Sequence, residues 1–139
     1  MDIGGFRDMH RHRKCEQILQ KFTSLHGYEL PEFVREAGLA AQYSAAMDAA
    51  HGLYSQLAQN GYALNATYLL PLGTRCRALF KMDFAEALYI SELRSQSQGH
   101  FSYRRVAWEM YQAVVRKHPA LAKYFRIRDV NEPVDLLKR

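Results

Sequence analysis

Apolar residues recur along this chain mostly at spacings of three and four, the repeat of an amphipathic helix. The plainest run is Leu39, Tyr43, Ala46, Met47, Ala50, Leu53, Tyr54 and Leu57. It predicts a long helix over 39–60, closed by Asn60-Gly61. Before it, Phe6, Met9 and Cys15 mark one face of a short basic helix, and Leu25-His26-Gly27-Tyr28 reads as a break. Pro31 suits the first turn of a helix that carries Phe33, Val34 and Ala37 and stops at Gly38.

The period changes after Tyr68. Leu69-Leu70-Pro71-Leu72-Gly73 interrupts any helix. From Thr74 to Met82 the pattern alternates, with Cys76, Ala78 and Phe80 on one side and Arg75, Arg77 and Lys81 on the other, which predicts a strand. Asp83 and Glu86 form a D-x-x-E start for a helix running to Arg94 or Ser95, with Phe84, Ala87, Leu88 and Leu93 as its apolar face. Ser95 to His100 is a polar connection. Ser102 is placed to cap a further helix that buries Val106, Met110 and Val114 and ends before His118-Pro119. A short helix from Ala120 to Phe125 and a charged tail complete the chain. The expected fold is mainly α with a small β component (α+β), a long central helix packed with shorter helices and one or two strands. No repeat or linker divides it, so a single domain over 1–139 is expected.

Composition fits that picture. Apolar residues make up 48% of the 139 and charged residues 24%, values that exclude disordered and collagen-like chains. Cys15 and Cys76 lie far apart with no C-x-x-C or Cys/His ligand spacing, so neither a disulfide framework nor a zinc site (metal: none) is expected. Apolar runs are only a few residues long, with no signal peptide or membrane span to be read from them. A soluble protein of the reducing cytoplasm is the expectation.

Charge adds a direction. The formal net charge is +5, and it is uneven: residues 1–28 hold five Lys/Arg against three acids, 29–103 five against seven, and 104–139 nine against four. Basic ends around a nearly neutral middle suit either a solvated face or an anionic partner such as a phosphate-bearing ligand. No RNP motif, KH loop, zinc finger or helix-turn-helix is present, so nucleic acid is not the expected partner.

Nothing marks a protein nucleophile or a phosphate loop: G-x-S-x-G, the Walker glycines, G-x-G-x-x-G and H-E-x-x-H are all missing. Two polar clusters remain. His10-Arg11-His12-Arg13-Lys14 places five basic or imidazole side chains in a row, which repel one another unless an anion lies among them; on a helix Arg11 and Lys14 would share a face. Glu92-Leu93-Arg94 followed by Ser95 to His100 and Tyr103-Arg104-Arg105 reads structurally as a helix end with a hydrophilic loop.

Arg11-His12-Arg13, then Leu70-Pro71-Leu72-Gly73 before a strand, then an amphipathic helix ending in Glu92-Leu93-Arg94, occur in that order. Together they resemble the flavin-dependent thymidylate synthases, whose signature opens R-H-R and continues x-x-S-x-N-x-x-S-x-R-Y. The resemblance covers nearly the whole chain and the later two-thirds of an ordinary member. Only ten residues precede Arg11, where the family carries further strands and a helix, so a truncated member or C-terminal portion is expected.

The resemblance implies a homo-oligomer, a tetramer in the family, that binds FAD and passes a one-carbon unit from methylenetetrahydrofolate to dUMP, with NADPH reducing the flavin. It implies that Arg11, His12 and Arg13 contact flavin and nucleotide phosphate. Arg94, the candidate catalytic residue, would sit beside the pyrimidine and stabilise charge developing there. Arg11, Arg94 and His100 would bind substrate. The pattern also departs from the family. Glu16, Ile18, Lys21, Thr23 and Ser24 stand where the signature asks for Ser, Asn, Ser, Arg and Tyr. Thr67 replaces an arginine, Asp83 and Ala85 replace flavin-contacting Asn and Arg, and Gln98 falls on a histidine, with His100 two places later. A divergent homologue with an incomplete active site is therefore the expected function. The alternative is a non-enzymatic helical interaction or nucleic-acid-binding domain.

Overall fold

A computed structural model describes residues 1–132; the end of the charged tail, 133–139, lies outside the described residues. Helix α1 spans Ile3–Met9 and strand β1 Glu16–Leu19. Helices α2 (Glu32–Glu36), α3 (Ala40–Leu57) and α4 (Ala63–Ala66) follow, then strand β2 (Ala78–Lys81) and helices α5 (Phe84–Arg94) and α6 (Phe101–Lys117). The fold is mainly α with one two-stranded sheet among the described residues, as the periodicity implied. Lys81 pairs with Glu16 at one end of that sheet (3.3 Å), and the Gln20 N–H donates to the Arg77 carbonyl at the other (3.2 Å). The strands therefore run antiparallel. Among the described residues no helix is long and apolar enough to cross a membrane, and no cluster of His, Cys, Asp and Glu could hold a metal ion.

The described residues gather into two compact units. The first comprises Met1–Phe6 and Leu19–Ala78. Its centre is the segment 73–76, which exchanges backbone hydrogen bonds with Met1 and Ile3 on one side and with Gly27 and Glu29 on the other, at 2.8–2.9 Å. Gly73 is packed against Tyr43, and an added Cβ would run into that hydroxyl, which donates to the Glu29 carbonyl (2.9 Å). Gly73→Ala is expected to cost about 1–3 kcal/mol through overpacking, read as a lower urea midpoint; an unchanged midpoint would mean that Tyr43 is not fixed there.

α3 forms because six alanines lose little side-chain freedom in a helix. It is released by Gly61, whose φ of 88° only glycine adopts cheaply. That stop, and the one at Gly38 (φ 73°), fall where the sequence placed them. The expected apolar stripe is another matter. On α3 only Met47 is buried, while Leu39 and Leu53 remain about half exposed (50% and 53%). The period is helical, yet this unit covers only part of the face, at Tyr43, Met47, Ala50 and Tyr54.

The second unit comprises Arg7–Ile18 and the chain from Leu79 onward. Asp83 caps α5 by accepting the Glu86 N–H at 2.9 Å, the predicted start signal. α5 packs on α6, burying Ala87, Ile90 and Ser91 from one helix and Tyr103 and Ala107 from the other. The expected faces were slightly misplaced: Phe84 and Leu93 are exposed, and Val106, Met110 and Val114 are only half-buried. Ser102 is not the cap of α6. His100 is, its Nδ1 accepting the Ser102 N–H (3.2 Å). The strand is also shorter than 74–82, since Thr74 and Arg75 enter only isolated bridges.

Candidate functional site

The basic cluster is not helical. α1 ends at Met9, and the N–H groups of Arg11 and His12 bond back to the carbonyls of Asp8 and Met9, three residues earlier, in a tight turn. That turn drives His12 inward to 5% exposure and leaves Arg11, Arg13 and Lys14 outside. An imidazole flanked by cations becomes buried only where the interior offers it partners, and α5 supplies two. The Arg94 Nε–H donates to His12 Nε2 at 2.9 Å. Glu86 Oε1 lies 3.4 Å from His12 Nδ1. Glu86, Ile90 and Arg94 stand at i, i+4 and i+8, so one helical face brings the carboxylate, a buried anchor and the guanidinium into line.

Arg94 is tied further. Its Nη2 donates to the Asp8 carbonyl (2.8 Å), and its Cζ lies 5.3 Å from the centre of the Tyr103 ring. Tyr89 meets the His12 ring edge-on at 5.8 Å. Burial, and after it the Arg94 guanidinium, hold the His12 imidazole below its usual range against the opposing pull of Glu86. His12 is thus neutral at pH 7. Arg11, by contrast, is 74% exposed and pairs loosely with Asp8 at 3.7 Å, a contact worth about 0–1 kcal/mol at most.

These side chains line a cleft of about 570 Å³: Arg11, His12, Arg13, Lys14 and Arg94, with Asp83, Glu86, Tyr89 and the apolar Ala85 and Leu93. Four permanent cations face two carboxylates. Among the described residues the lining holds no Ser, Thr or Cys, and its one hydroxyl is the phenol of Tyr89. What it can do is bind and orient an anion, with arginine forks suited to phosphate or carbonyl oxygens. Of the residues expected at the site, Arg11, His12, Arg13 and Arg94 come together, although they come from the two separate segments of the second unit. His100 does not line this cleft; it caps α6 and stacks on Phe101 (4.6 Å between ring centres). The sequence reading missed Glu86 as a site residue, and it missed Tyr89. Counting back two turns from Arg94 would have found Glu86; Tyr89, five residues before Arg94, has no such spacing.

The model of one protein family, described as the thymidylate synthase complementing protein, matches residues 1–120. A UPF0159 protein of Chlamydia muridarum is 34% identical over 131 residues, 94% of this chain and 25% of its own length. A UPF0159 protein of Chlamydia pneumoniae is 32% identical over 135 residues, 97% of this chain and 25% of its own length. A flavin-dependent thymidylate synthase of Sulfolobus acidocaldarius is 30% identical over 94 residues, 68% of this chain and 36% of its own length. The chain thus spans about a quarter of the length of the first two relatives.

Proposed function

The chain belongs to the thymidylate synthase complementing protein family, and from that premise we propose that it is a divergent homologue of the flavin-dependent thymidylate synthases whose cleft binds an anionic nucleotide. The observation that carries this reading is the lining: four cations around a cleft whose described residues include no Ser, Thr or Cys. Such a site either only binds or takes its chemistry from a bound group. Arg94 would lie against the pyrimidine of dUMP, where a cation steadies charge developing on the ring. Arg11, Arg13 and Lys14 would hold phosphate.

A flavin fits the same donor set. The three exposed cations at 11–14 suit the pyrophosphate of FAD. Bound there, the flavin would supply the hydride of the family reaction. Methylenetetrahydrofolate and NADPH belong to that reaction only if it is complete. This chain by itself lacks several residues the family uses for it. Glu16 is paired with Lys81, Thr67 donates to the Leu64 carbonyl, and Asp83 is occupied as a helix cap. We therefore expect dUMP to bind while tritium release from labelled dUMP, with folate, NADPH and FAD supplied, stays at background. Release well above background would mean these residues suffice for the reaction, against the incomplete site.

Assembly into a homo-oligomer belongs to the same reading. Ala45, Ala46, Ala49 and Leu53 present small and apolar surface to solvent along α3, the kind of face a second copy covers. Light scattering should give a multiple of the 16.1 kDa chain mass, and Leu53→Glu should lower it; a monomer in both cases would remove this part of the proposal.

A further inference from the structure

Arginine carries five N–H donors in a rigid plane and no acceptor. In Arg94 the Nε–H goes to His12 Nε2 and one Nη2 hydrogen to the Asp8 carbonyl. Those two donors form one edge of the plane, so that edge is occupied inside the protein. Among the described residues the opposite edge, Nη1 with the second Nη2 hydrogen, carries no such contact, and Arg94 lines the cleft. The hydrogen bond also fixes the imidazole. Because Arg94 can only donate, His12 Nε2 must present its lone pair, and the ring proton must sit on Nδ1, facing Glu86 at 3.4 Å.

We propose that Glu86 and His12 are positioning residues for Arg94, the buried imidazole gripping one edge of the guanidinium so that the other is aimed into the cleft for two-point contact with the ligand. The proposal rests on the reading of Arg94 as a ligand contact given above. It makes the grip dependent on pH. A proton added at His12 Nε2 removes the acceptor and sets a second cation against Arg94, which is driven off. The charged and titratable groups around His12 are Glu86, Tyr89 and Arg94 from α5, and Asp8, Arg11, Arg13 and Cys15 near it in sequence; Tyr103 of α6 lies under Arg94. Glu86 alone among them pulls the imidazole toward the charged form by direct contact.

The test has two arms. Nitrogen-15 NMR of the full chain without ligand should show the Nδ1–H tautomer of His12 and a slowly exchanging Arg94 Nε–H that is lost on acidification. Glu86→Gln removes the charge that favours the imidazolium, so the midpoint of that loss should move to lower pH. An Nε2–H tautomer, or a midpoint that Glu86→Gln leaves in place, would overturn the proposal. In the second arm, dUMP is titrated at pH 7.5 and pH 5.5. His12→Gln, whose amide oxygen accepts without titrating, should bind within a few-fold of the unsubstituted chain at pH 7.5 and lose less on acidification. The second ionisation of the phosphate is common to both proteins, so only their difference counts. His12→Ala should weaken binding about tenfold at pH 7.5, the scale of one lost charged hydrogen bond. Affinity equal to the unsubstituted chain in His12→Ala would overturn the positioning role. If the unsubstituted chain binds no dUMP, the ligand reading fails, and the NMR arm still decides whether His12 and Glu86 hold Arg94.

Discussion

Replacing Arg94 by alanine is expected to weaken dUMP binding by about 100-fold. The free edge of its guanidinium offers two charge-assisted hydrogen bonds, each worth about 1.5–3 kcal/mol where water is excluded, and ~3 kcal/mol corresponds to a factor of about 100. The side chain also satisfies His12 Nε2 and donates to the Asp8 carbonyl, so its loss leaves the buried imidazole without that donor, while the Asp8 carbonyl keeps the Arg11 N–H. Arg94→Lys should recover little of the affinity. A single ammonium cannot reach both internal acceptors and still present a planar fork to the ligand. Calorimetric titration at fixed salt measures both variants. Affinity in Arg94→Ala within a few-fold of the unsubstituted chain would remove Arg94 from the ligand site.

The second large effect is on stability. Ile90 has no exposed surface and stands one helical turn from both Glu86 and Arg94. It is the largest aliphatic side chain fully buried in α5, on a helix that packs against α6. Ile90→Ala removes three carbons from a packed interior and is expected to cost about 2–5 kcal/mol. Urea unfolding followed by circular dichroism reads it. A cost below about 1 kcal/mol would show that the site collapses around the cavity, and that Ile90 does not seat the helix carrying Glu86 and Arg94.

Much of the fold could be read from residues alone because it depends on local chemistry. Asp83 caps α5 through its own side chain, Gly38 and Gly61 take positive φ where helices stop, and alternation over 74–81 sorts Cys76 inward and Arg75 outward. Those signals need no tertiary context. The face of α3 shows where they end: a period of 3.6 says which residues share a side, but not whether anything covers it. The basic cluster misled for a related reason. A histidine between two arginines reads as surface, and only the partners on α5, more than seventy residues later, explain why the turn at 10–14 buries it. Arg11, Arg13 and Arg94 were visible as cations suited to an anion. Glu86 was visible only as a helix start, because its second task depends on what it meets in space.

On the proposed reading, the turn at 11–14 and the face of α5 that bears Glu86 and Arg94 hold a phosphate-bearing flavin or nucleotide. Titration of the purified chain with FAD, followed by quenching of flavin fluorescence, tests it most directly. Saturable quenching is expected, weakening as salt screens Arg11, Arg13 and Lys14 and lost in the Arg11→Ala/Arg13→Ala double variant. Flavin fluorescence unchanged throughout a low-salt titration, with the protein shown to be folded, would contradict it.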